Sequence, residues 1–243
     1  MTVNASKCKA MFVGYPRLIS GISNTDLPSI TIGDHNIEYE GEVKSLGIIL
    51  SKTLSWGPQV TRTCNKIYSS LYQLRRLAID FPFGARLQLV QSLVMHHFDY
   101  ALTAQCDMTD EQLHWLQKAQ NAVLRFVFRL RMDEHVTPFR KRLGWLNMKQ
   151  RKEFAVALLM FKVLKFKTPP YLADQVAFLD AVHGHQTRQR LIQVPQHRTT
   201  IYNKSFNAYA IRLYNAHAEL FDIGQSVQSF KNNYKKFLMT QVQ

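Results

Sequence analysis

At Ser55 the spacing of apolar residues changes period, and that change limits what the chain can fold into. From there Trp56, Val60, Cys64, Ile67, Leu71, Leu74 and Ala78 recur at steps of three and four, which puts them on one face of an amphipathic helix. Pro58 stands near its first turn, where a missing backbone N–H is no loss. The same spacing returns from Phe83 to Tyr100 (Leu87, Val90, Val94), from Thr109 to about Leu130 (Leu113, Leu116, Val123, Val127), and from Asn147 to about Phe166. Thr109 with Gln112, and Asn147 with Gln150, carry the capping-box signature in which a side-chain oxygen meets a backbone N–H and the amide returns the bond. Pro138 and Gly144 interrupt the pattern between the last two helices, and Pro169-Pro170 ends it. Two further helical patterns run from Ser205 to Phe221 and from about Ser226.

Before Ser55 the period is two. Residues 6–14, SKCKAMFVG, read as a short strand, followed by candidate strands Ser29–Ile32 and Val43–Leu50. Gly33-Asp34 supplies turn chemistry between them. So small a layer packs on something else. The expected fold class is mainly α, with a small antiparallel β layer followed by a helical bundle and C-terminal helices. The expected divisions are 1–54, 55–105, 106–182 and 183–243. Residues 183–203, polar and basic, read as an extended or partly ordered connection.

Charge bounds the function. The net charge is +14. Residues 1–60 hold five basic and five acidic side chains, so the excess lies beyond them. It is densest from Lys118 to Lys152, with ten Lys or Arg against Asp133 and Glu134. Arg125, Arg129, Arg131, Arg140, Lys141 and Arg142 alternate there with Phe126, Phe128, Phe139 and Trp145, the last three cations forming a compact triplet in a turn. Basic groups between anchoring rings suit a surface that tracks a phosphate backbone. Arg62, Lys66, Ser69, Gln73 and Arg76 make a second stripe on the Ser55 helix. Both patterns also fit solvated helix faces. Nucleic acid is favoured over an anionic membrane, because no segment pairs a basic face with a strongly exposed apolar one.

The usual catalytic constellations are missing: there is no GxxxxGK with Ser or Thr after it, no HExxH, no GxSxG and no GxGxxG. His96-His97 and His183-x-His185 lack partners at ligand spacing, so no metal site is expected. The start MTVNASKCK has no apolar centre, and the longest apolar run, Phe154 to Phe161, is too short to span a bilayer. Three widely spaced cysteines fit a reducing interior. An intracellular chain, in nucleus or cytoplasm and not secreted, is the expectation.

In order along the chain, several segments resemble the C-terminal part of reverse transcriptases from non-LTR retrotransposons of the LINE/jockey type. Asn4 to Lys9 with the strand after it is similar to the family's N-x-x-K segment, in which the lysine, Lys7 here, would assist departure of pyrophosphate. Val43 to Ile48 resembles the strand turn that grips the primer, with Leu46 and Gly47 at its centre. Leu54-Ser55-Trp56 and the following helix look like the start of the thumb. Leu116–Asn121, His135–Pro138, Leu143–Leu146 and Phe206–Asn215 are similar to the segments beyond it, with Tyr214 where the family has Trp. The resemblance implies an RNA template and an RNA–DNA duplex as partners, the palm and fingers of an intact polymerase, and contacts from Arg62, Lys66, Arg76, Arg125, Arg129, Arg140, Lys141 and Arg142. The family enzyme takes two Mg2+ ions on aspartates, one set in an aromatic-x-Asp-Asp hairpin. No Asp-Asp pair occurs in this sequence. The expectation is therefore a truncated piece holding the palm's last strands, the thumb and the C-terminal segment, with no cofactor and no polymerase activity of its own. The alternative is a stand-alone basic helical module that binds RNA or DNA without catalysis.

Overall fold

The computed structural model describes residues 4–77, 81–179 and 190–241. The chain divides into two compact units, Met1–Asn65 and Lys66–Gln243. It is mainly α with a small antiparallel β layer, as its patterning predicts.

In the first unit, α1 (Pro16–Ile19) is followed by two hairpins. In one, β1 (Ile30–Ile32) pairs antiparallel with β2 (His35–Ile37), turning at Gly33 with φ of 59°. In the other, β3 (Glu42–Ser45) pairs with β4 (Ile48–Ser51) in the register Ser45 to Ile48. The expected strand over 6–14 does not form. Asn4 accepts the Ser6 N–H on its side chain, which curls Ala5–Lys7 into a 3-10 turn. Ala10 then meets the layer as a single parallel bridge to Tyr39, and the Gly14 N–H donates to the Lys52 carbonyl at 3.1 Å. Gly14 answers to close packing: a Cβ there would stand 2.7 Å from Ile19 Cγ2. The long helix α2 (Gly57–Leu77) begins in this unit. Buried Gln59 accepts the Ile49 N–H at 3.0 Å, tying β4 to its first turn.

The second unit follows the predicted helices, with two breaks. The span expected as one helix to Tyr100 is α3 (Phe83–Leu93) and α4 (His96–Asp99). Met95 and Val94 both bond the Val90 carbonyl, and that shared acceptor bends the chain. Helix α5 (Asp110–Phe128) opens on Thr109 with both capping bonds formed, and α7 (Met148–Phe166) does the same on Asn147. Between them Pro138 starts a helix instead of breaking one. It occupies the first turn of α6 (Thr137–Arg142), so the basic triplet is helical and not a turn. After α8 (Pro170–Ala173), residues 190–199 form no helix or strand, and Ile192 is bridged to Phe178. The end of the expected connection is helical, α9 (Thr200–Lys204). The next pattern stops early as α10 (Phe206–Ala216), and α11 (Val227–Thr240) closes the chain.

Helix α7 is the hub. It packs against α5, α10 and α11 and is apolar on more than one side, as a helix enclosed by others must be. Phe161 stacks on Phe230 with ring centroids 4.2 Å apart and planes 10° from parallel. Phe221 and Tyr234 extend the stack. Tyr214 is buried, and its hydroxyl donates to the Arg190 carbonyl at 2.8 Å. Asn215 serves both backbone groups of Ile192, at 2.9 and 2.8 Å, standing in for a missing strand.

Phe230 is fully buried, so Phe230→Ala is expected to destabilise the chain by about 3–5 kcal/mol in denaturant unfolding. Glu153 accepts the Tyr234 hydroxyl at 3.1 Å, and burial holds its carboxyl above the usual glutamate range. A raised carboxyl pKa contributes stability that is whole below the unfolded value and is lost as pH rises through the folded one. Glu153→Gln is therefore expected to raise Tm at pH 7 and leave it unchanged near pH 4, checked by thermal melts at both.

Candidate nucleic-acid interface

The basic block is organised by the end of α5. Phe128, its last residue, lies 5.1 Å from the Phe83 ring and 4.8 Å from the Phe139 ring, centroid to centroid. That contact draws the starts of α3 and α6 to one point. Arg142 places its guanidinium 5.9 Å from the Phe128 centroid, a cation–π distance. Arg129 caps the helix in the left-handed conformation, φ 56°, which turns the chain sharply into the loop that follows.

Arg125 closes that loop. Its guanidinium donates to the carbonyls of Arg131, Met132 and Glu134 at 3.2–3.4 Å. Glu134 accepts the Arg131 N–H at 2.6 Å, and Asp133 pairs with the Arg131 side chain at 3.5 Å. The acidic pair inside the block is thus engaged within its own turn.

Two residues that charge counting passed over complete this end. Arg86 on α3 is 7% exposed, and donates to the Val127 carbonyl at 3.0 Å and the Phe81 carbonyl at 2.9 Å. The Val127 carbonyl is one that α5 cannot satisfy internally, and a cation suits the negative end of a helix dipole. Burial, and then the charge of Arg129, lower the Arg86 pKa. Arg75 on α2 is exposed and makes no hydrogen bond or ion pair with other described residues. Arg75, Arg86, Arg125 and Arg129, with Phe126, Leu130 and Met132, line a cleft of about 350 Å³. No carboxylate among the described residues lines it. In sequence Arg86 is one cation in an apolar helix, and nothing local signals its partner Val127, 41 residues away.

The Arg140-Lys141-Arg142 triplet does not act as one patch. Successive residues on a helix point about 100° apart. Arg142 turns to Phe128, Lys141 to solvent, and Arg140 to a second cleft of about 360 Å³ shared with His114, Gln117, Asp110 and Lys149. Burial lowers the Arg140 pKa, and its guanidinium lies 3.4 Å from Gln150 Oε1. Gln120, fully buried, donates to the Leu146 carbonyl at 2.9 Å, and Gln117 accepts the Met148 N–H at 2.9 Å. These amides hold the turn after α6 against α5.

The other expected contacts lie elsewhere. Arg62, Lys66 and Arg76 share one face of α2 by helical spacing, Arg62 on its part in the first unit and the other two in the second. Lys66 and Arg76 are exposed and Arg62 is half-exposed. Leu46 and Gly47 form the two-residue tip between β3 and β4, with φ of 47° and 85°. Two positive φ values define a type I′ hairpin turn, and a leucine in the left-handed region costs about 1–2 kcal/mol. Leu46 is 89% exposed. Lys7 is exposed at the end of its 3-10 turn.

Among the described residues no group of three or more His, Cys, Asp or Glu side chains is placed to hold a metal ion. The His96 and His97 rings lie 4.0 Å apart, and burial with His96 lowers the His97 pKa. His183 and His185 lie outside the described residues. Cys106 is buried, its thiol pushed up to about 11 by burial and by Asp107. No helix among the described residues is long and apolar enough to cross a membrane. Comparison with protein-family models, curated proteins and solved structures gave no match for this chain.

Arg125→Ala removes the donors that hold the loop carbonyls. Amide hydrogen exchange over residues 130–134 is expected to accelerate at least tenfold, about 1.4 kcal/mol of local stability, while exchange in the middle of α7 stays unchanged.

Proposed function

We propose that this chain is a nucleic-acid-holding piece of a non-LTR retrotransposon reverse transcriptase. It grips the backbone of an RNA–DNA duplex and leaves phosphoryl transfer to a segment that carries the metal-binding aspartates. One observation carries the reading: the chain has 31 basic against 17 acidic residues, and that surplus lies beyond residue 60. Cations held at fixed places around the end of α5 and along α2 contact phosphates without reading bases. An A-form hybrid is recognised largely in that way, through its shape and backbone. The ordered segments from Asn4 to Asn215 support the family assignment. In that role Leu46 and Gly47 stand at the primer grip, Lys7 beside the departing pyrophosphate, and the palm and fingers of an intact polymerase are the protein partners. An intracellular location, in nucleus or cytoplasm, goes with the same reading.

Binding to an RNA–DNA hybrid, followed by fluorescence anisotropy across a salt series, tests it. Six to ten phosphate contacts would weaken binding by roughly 10³–10⁵ between about 50 and 200 mM salt. Reversing Arg62, Lys66 and Arg76 together to Glu is expected to weaken binding further at low salt. No binding at low salt would sink the proposal, and unchanged affinity in the triple variant would move the contact to the α5–α6 end.

A further inference from the structure

Helix α7 has an apolar face that its neighbours leave half covered. Phe154, Ala155, Leu158 and Leu159 recur there at helical steps and are half-buried, whereas Val156, Ala157, Met160 and Phe161 are buried in the core. The half-covered face lines a cavity of about 500 Å³, and Trp145 and the buried Leu146 line it from the turn after α6. Small-molecule sites typically enclose about 300–1,000 Å³ and combine apolar walls with a few polar groups. This cavity has that size and that make-up.

Charge stands at both ends of the face. One turn before Phe154, Arg151 donates to both oxygens of Asp99 at 2.6 Å, so the carboxylate on the wall is matched within the protein. One turn beyond Leu158, Lys162 lines the cavity, and Lys235 joins it from α11. Both lysines are exposed, so their ammonium groups stay in water while their methylene stems extend the apolar wall. From Phe154 to Leu159 the face is about 8 Å long, at the helical rise per residue. It therefore fits a short apolar body, with a negative end that stays at the lysines and is never stripped of water.

We propose that this cavity binds a small organic monoanion, an apolar body carrying one carboxylate. The body lies against Trp145, Phe154 and Leu158, and Lys162 and Lys235 take the carboxylate. An acyl chain and an aromatic ring offer the same chemistry to these walls. The site is separate from the contacts on α2 and at the α5 end, and it does not depend on the function proposed above.

Titration calorimetry of the full chain with octanoate and naphthoate, and with the neutral amide of each, tests the proposal. At least one acid is expected to bind at a single saturable site, with its amide weaker by roughly tenfold, as a lost charge-assisted hydrogen bond implies. Lys162→Glu combined with Lys235→Glu changes only exposed side chains, and circular dichroism checks the fold. That double variant is expected to weaken the acid by roughly tenfold or more and to leave the amide unchanged. Ala155→Phe fills the cavity and is expected to abolish binding of acid and amide alike; if it fails to fold, the lysine variant decides. Tighter octanoate would support the site and assign it an acyl chain, and tighter naphthoate would support it and assign a ring. No saturable binding of either acid, equal acid affinity in wild type and the lysine variant, or a loss shared equally by acid and amide would overturn it.

Discussion

The fully buried Gln120 amide is the contact on which the basic end of the molecule depends. It donates to the Leu146 carbonyl, while Gln117 bonds both Gln120 and the backbone of Met148. A carbonyl left unpaired at that depth would cost about 1–3 kcal/mol. These bonds fix where α7 begins relative to α5, and α7 carries the core shared with α10 and α11. They also fix where the turn after α6 lies, and so where the cations on α6 can point. One buried amide pair thus couples the packing of the second unit to the layout of its charge.

Arginine plays two parts around that frame. Arg86 and Arg125 bind carbonyls at a helix end and in a loop, each presenting several donors in a fixed plane. Arg75 and Lys141 are exposed and carry charge without a structural task. The bidentate pair of Arg151 with Asp99, at 2.6 Å, lies on the first pattern: a cation already committed within the protein. Net charge alone cannot separate these classes, and only the second offers its full charge to a ligand.

Much of this was legible before any coordinates. The capping boxes at Thr109 and Asn147 form as read, because they depend on residues three apart. The α2, α5 and α7 spans follow from apolar periodicity. The strand over 6–14 was misread because Asn4 offers the backbone a closer partner than a sheet edge does, a competition that alternation does not express. The bend after Leu93 and the helical start at Pro138 depend on single backbone acceptors and on a fixed φ, and neither changes the apolar count. Of the site, Arg125 and Arg129 were visible as charge. Arg86 was not, since its Val127 partner lies on another helix. The basic triplet was placed correctly in sequence and wrongly as a unit, because in a turn three neighbours can converge and in a helix they cannot.

That last point constrains any ligand. Three consecutive helical residues fan across about 200° of arc. A continuous polyanion laid along one side of α6 meets two of those charges at most. To meet the third it has to round the helix, between the cleft that Arg140 lines and the ring that Arg142 covers. The triplet is therefore a corner: Arg140 faces a cleft on one side of the helix and Arg142 an aromatic ring on another.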